Sequence, residues 1–143
     1  MALVGEAVKR WLRELGPLVV GSLILVVSHL PKGVVPRTGL HYRAEHALAY
    51  GFLAMVCLLA MGRRRALVRA SIALGIIMVV GAVDEVTQPL FGRGGSVWDW
   101  VFDLAGASVA VGVWVVFRWG RWWLAGGLGS GCVAEGGEHV RGG

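Results

Sequence analysis

Charge is scarce in this sequence. Asp, Glu, Lys and Arg together supply 16% of its 143 residues, against about a quarter in an ordinary soluble domain. With 56% hydrophobic residues and a mean hydropathy of +0.67, a water-facing surface over most of the chain is excluded, and lipid is the expected solvent. Cysteine is scarce as well: Cys57 lies inside an apolar run and Cys132 in a glycine-rich tail. Neither has a partner or metal-ligand spacing in sequence, so no disulfide or cysteine-metal site is expected. Short alternating segments of the kind that build a membrane barrel are also missing. No small-x-small cleavage site follows the first apolar run before Pro31, so that run is expected to stay as a helix and not to be removed as a signal peptide. The length allows one domain of ordinary size.

What is present is four apolar runs, roughly Leu15 to Leu30, Ala44 to Met61, Arg69 to Val83 and Val101 to Phe117. A crossing helix needs about 20 residues, so each run must extend into polar or aromatic flanks lying at the interface. Trp11, Trp98, Trp100, Trp119, Trp122 and Trp123 occupy those flanks, where amphipathic rings prefer the headgroup level. Lipid requires every backbone polar group to be satisfied within the protein. The expected fold is therefore all-α, a polytopic membrane protein with a four-helix antiparallel transmembrane bundle over residues 1–123. The remainder, 124–143, is Gly-rich with scattered charges and is expected to be disordered and dispensable.

The fourteen Lys and Arg give a net charge of +5, but they cluster between apolar runs instead of forming a face, which argues against nucleic acid. If the amino terminus is cytoplasmic, ten of them (Lys9, Arg10, Arg13, Arg63, Arg64, Arg65, Arg69, Arg118, Arg121 and Arg141) lie inside and four (Lys32, Arg37, Arg43 and Arg93) outside. That asymmetry follows the positive-inside rule. It predicts a bacterial inner-membrane protein with both termini cytoplasmic.

The acidic residues are distributed the other way. Of seven of the nine acidic residues, Glu6 and Glu14 fall inside, whereas Glu45, Asp84, Glu85, Asp99 and Asp103 fall at the outer helix ends, with Ser28, His29, Arg43, His46, Tyr50, Gln88 and Arg93. Polar groups at membrane depth usually face a bundle interior or a watery space. Asp84 and Glu85 sit at the negative end of the third helix, where a carboxylate is unfavourable unless compensated. Arg93, nine positions beyond Asp84 across a glycine-bearing turn, is the expected partner, with Arg43 as another candidate. Asp99 fits a capping box with Ser96, and Glu45 suits the positive end of the second helix. The pairs His46 and Tyr50, Asp84 and Gln88, and Asp99 and Asp103 each share a helix face, so all three can line one site. The stretch from Gly92 to Ser96 leads into a helix amino terminus that could hold an anion such as phosphate, although it lacks a Walker lysine pattern.

At these residues the sequence resembles the VanZ-like family of small bacterial membrane proteins. The pattern is carried by Arg43, His46 and Tyr50, then Asp84, Glu85, Gln88, Gly92, Arg93, Asp99 and Gly106, and the resemblance spans about residues 20–117. Tyr42 stands where the family often has Asp and Asp103 where it often has Asn. The segment from Gln88 to Arg93 is one residue short and contains Pro89. The family name refers to a glycopeptide-resistance accessory associated with teicoplanin, and it does not establish a reaction.

Three functional readings follow. The first is an outward-facing polar site that binds or modifies an anionic cell-envelope component, including a lipid-linked one. In it Arg43 and Arg93 hold negative groups, and Tyr50, Gln88, Asp99 and Asp103 complete the binding set. His46, Asp84 and Glu85 are the acid-base candidates, since a carboxylate near lipid and a neighbouring His can exchange protons near neutral pH. No nucleophile is evident. The second reading is a non-enzymatic module that shields or scaffolds envelope precursors. The third is a small transporter, for which four helices without an internal repeat leave little room. A metal held by His46 with Asp or Glu is compatible with ligand chemistry, but the spacing matches no metal motif, so no metal or cofactor is expected.

Overall fold

The computed structural model describes residues 2–31, 33–34, 39–62 and 64–127. These form four helices, α1 (Ala2–His29), α2 (Tyr42–Ala60), α3 (Ala66–Thr87) and α4 (Val97–Gly127), with a 3₁₀ turn at Gln88–Phe91. Each helix outgrows its apolar run. α4 reaches Gly127, into the segment expected to be disordered, and the rest of that tail, 128–143, lies outside the described residues, as do Lys32, Arg37 and Arg63.

The helix ends follow local chemistry. α1 ends two residues before Pro31, which cannot continue the hydrogen-bond ladder. α2 starts behind His41, whose backbone is extended and whose Nδ1 accepts the Arg43 N–H at 3.4 Å. Glu45 lies in the first turn, as a carboxylate should near the positive end of a helix. Gly92 closes the 3₁₀ turn in the left-handed region, at φ 71°, which glycine adopts without steric cost.

α2 is the central element. It packs most extensively on α4 and also meets α1 and α3. Its Tyr50, Leu53, Ala54, Cys57 and Leu58 form the core with Ala73 and Ile77 of α3 and Ala107 and Val111 of α4. The crossing of α2 and α4 is close because it is built on glycines. A Cβ at Gly106 would overlap the Ala47 carbonyl, and one at Gly51 would lie 3.1 Å from the Gly106 carbonyl oxygen. Small residues let helix backbones approach in this way where packing, not water, drives association. Trp100 adds a bond from α4 to α3, its Nε1–H reaching the Met78 carbonyl at 3.1 Å.

α2, α3 with its 3₁₀ turn, and α4 are each long and apolar enough to cross a membrane. Their outer faces carry Leu48, Phe52, Leu59, Val79, Val86, Val109 and Val116, all exposed, and an apolar belt of this kind suits lipid contact. Arg69, counted in the sequence among the cytoplasmic cations, is buried between the helices. It donates to the Leu58 carbonyl, and its guanidinium lies 4.5 Å from the Trp114 ring centroid.

Candidate functional site

One end of the bundle gathers the carboxyl end of α1, the amino-terminal halves of α2 and α4, and the carboxyl end of α3. From α2 come Tyr42, Arg43, His46 and Tyr50; from α3 and its turn, Asp84, Glu85, Thr87 and Gln88; from α4, Asp99 and Asp103. Six of these, His46, Asp84, Glu85, Gln88, Asp99 and Asp103, are buried polar or charged groups. Each helix-face pair read from the sequence turns inward together: His46 with Tyr50, Asp84 with Gln88, and Asp99 with Asp103 are all buried.

The α2–α4 crossing sets the centre. Ala47, whose carbonyl abuts Gly106, follows His46 directly, and Asp103 lies three residues before Gly106, so the close approach places the two side chains opposite one another. His46 Nδ1 donates to Asp103 Oδ1 at 3.0 Å. The carboxylate acceptor places the imidazole proton on Nδ1. Tyr42 and Tyr50 flank the imidazole, with ring centroids 4.5 and 6.1 Å away.

Asp84 has no exposed surface. It accepts the Tyr50 hydroxyl at 2.9 Å on Oδ2 and the Ser28 hydroxyl at 2.5 Å on Oδ1, and His29 Nδ1 lies 3.6 Å from Oδ1. His29 in turn hydrogen-bonds through Nε2 to the Thr87 hydroxyl at 2.8 Å. The expected contact between Asp84 and Arg93 does not form. Arg93 donates instead to the Leu30 carbonyl at 2.8 Å and to the Tyr42 hydroxyl at 3.5 Å, because the 3₁₀ turn and the left-handed Gly92 carry it across to the ends of α1 and α2. Hydroxyl donors compensate Asp84 where the sequence pointed to a cation.

Glu85 is compensated by a helix end. Its Oε2 accepts the Ser96 N–H at 2.5 Å, just before α4 begins, and its Oε1 accepts Gln88 Nε2 at 3.4 Å. A carboxylate unfavourable at the negative end of α3 thus rests on the positive end of α4. Two expectations change in consequence. The amino terminus of α4, read as a place for phosphate, already holds an internal carboxylate. The capping-box bond to the Ser96 N–H, expected from Asp99, comes from Glu85, while Asp99 pairs with Arg43 Nε at 3.4 Å. Gly95 allows this closure, since a Cβ there would overlap the Glu85 carbonyl.

Arg43 and Arg93 lie at the rim. The Arg43 side chain is 44% exposed, and its guanidinium stands 5.5 Å from the Phe102 ring centroid. Arg93 is half-buried and lies 5.8 Å from the Tyr42 ring centroid. Three residues of this cluster had no site role in the sequence reading: Thr87 gave no signal, and Ser28 and His29 stood among the outward polar residues without an assigned function. Comparison with family models, curated proteins and solved structures found no match for this chain.

Proposed function

We propose that this chain is a VanZ-like protein of the bacterial inner membrane whose polar end faces outward and binds or modifies an anionic cell-envelope component. The supporting observation is the arrangement of two rim arginines over a buried His46–Asp103 pair. Among the described residues, Arg43 uses one donor on Asp99 and Arg93 two on Leu30 and Tyr42, out of the five that a guanidinium carries. Both therefore keep donors for a phosphate or carboxylate group. Below them, His46 and Glu85 are the acid-base candidates, because Asp84 has no exposed surface. In support of the family reading, the residues that carry the resemblance stand on the helix ends that build this cluster.

The four-span topology belongs to the same proposal. α1 exposes Leu18, Val19, Leu23, Val26 and Val27 while packing on α2, which suits a lipid-facing fourth span with both termini cytoplasmic. A non-enzymatic shielding module remains the second reading, favoured by the internal satisfaction of Asp84.

The test is direct binding. Detergent-solubilised protein titrated with a polyprenyl phosphate should bind it. Arg93→Gln and Arg43→Gln should each weaken binding by roughly ten-fold, about 1.4 kcal/mol, in the range of a charge-assisted hydrogen bond. Equal binding by the wild type and by the variant carrying both substitutions would reject the anion site.

A further inference from the structure

His46, Glu85 and Asp103 come from three different helices, yet each offers a ligand atom to one small space. One atom from each, a ring nitrogen and two carboxylate oxygens, lie within 4.8 Å of one another, and all three residues are buried. Two ligands on a common ion at about 2.0–2.2 Å are separated by about 3 to 4.3 Å. For three tetrahedral ligands that separation is about 3.3–3.6 Å, so closure by no more than about 1.5 Å would bring this set to coordination distance.

An independent feature points the same way. Asp103 has no exposed surface, and its Oδ2 has no hydrogen-bond partner among the described residues. Gln88 is equally buried, and its Oε1 is also unpartnered while its amide nitrogen rests on Glu85. Buried acceptors without donors are costly, and here two occur in one cluster. The charge balance agrees. Asp84, Glu85, Asp99 and Asp103 are all buried, and among the described residues Arg43 on Asp99 is the arginine or lysine that pairs with one of them, with His29 and His46 as the other basic contacts. The cluster has an excess of acceptors and a shortage of positive charge.

We infer that His46, Glu85 and Asp103 form a binding site for one divalent transition-metal ion. One imidazole and two carboxylates suit Zn²⁺ or Mn²⁺, whereas Mg²⁺ and Ca²⁺ prefer oxygen ligands alone. Three protein ligands would leave a coordination position for water or an anionic group. The inference rests on the proposed function only for that last role, a cation beneath Arg43 and Arg93 that would complete an anion site. Metal binding itself stands or falls separately.

The experiment measures the metal alone. Full-length protein in detergent is stripped with chelator and dialysed against Zn²⁺, and bound metal is counted by mass spectrometry. Co²⁺ loading is followed by visible absorption. The wild type should hold one equivalent more than the variants His46→Gln and Asp103→Asn, and Glu85→Gln should weaken binding by at least roughly ten- to a hundred-fold, the loss found even for outer-shell partners. Glu14→Gln, exposed and far along α1 from the cluster, should match the wild type. Glu85→Gln retains an acceptor for the Ser96 N–H, which keeps one variant interpretable if the others fail to fold. No additional equivalent in the wild type, or equal affinity in folded Glu85→Gln, would overturn the site. Metal binding with no polyprenyl phosphate binding would uphold this inference and reject the proposed function.

Discussion

Gly106→Ala should destabilise the bundle by about 3 kcal/mol, at the upper end of the usual cost of overpacking, although it adds only one methyl group. The new Cβ would overlap the backbone carbonyl of Ala47, and a carbonyl inside a helix has no rotamer with which to retreat. α2 and α4 must separate, and separation draws His46 away from Asp103. Gly112→Ala provides the contrast on the same helix. A Cβ there meets nothing within 4 Å, so the change should stabilise by about 0.5–1 kcal/mol through helix propensity. Thermal unfolding of the two variants in one detergent, read by loss of the monodisperse peak, checks both signs. Equal stability would mean that the α2–α4 crossing is not built on Gly106.

Asp84→Ala should cost about 1–3 kcal/mol for the buried Tyr50 hydroxyl left without its acceptor, plus the loss of packing around the deleted carboxyl. Ser28 suffers less, because its hydroxyl can fall back on the Leu25 carbonyl at 2.9 Å. Asp84→Asn keeps an oxygen of the same shape and should recover more than half of the lost stability. The opposite outcome has physical precedent: replacing a buried charge with a neutral group can stabilise when its partners compensate poorly. Denaturation midpoints for the Ala, Asn and wild-type proteins separate these cases. A more stable Asp84→Ala would show that Ser28 and Tyr50 do not offset the burial of Asp84.

The all-helical fold was legible because runs too long and too unalternating for strands leave the backbone few alternatives in lipid. The faces were legible too, since residues four apart on a helix must share one. How those faces meet was not. Asp84 and Glu85 were correctly singled out as carboxylates at the wrong end of a helix, but their compensation comes from Ser28 on α1, Tyr50 on α2 and the start of α4. Proximity in sequence favoured Arg93, and the left-handed turn at Gly92 sends that side chain elsewhere. The spacing of His46, Glu85 and Asp103 resembles no metal motif because one ligand comes from each of three helices. Gly106 stood out through the family pattern but not as a packing device, since a chain with 23 glycines offers no local signal for the one that touches a backbone.

The convergence of α2 and α4 on a shared polar centre is the claim on which the anion and metal readings both depend. A double-mutant cycle tests it most directly, with unfolding free energies measured for the wild type, His46→Ala, Asp103→Ala and the double variant in metal-free detergent solution. Contact at 3.0 Å between Nδ1 and Oδ1 predicts a coupling of about 1 kcal/mol or more, within the range of interacting buried pairs. Changes that add to within about 0.3–0.5 kcal/mol, as for independent sites, would contradict it.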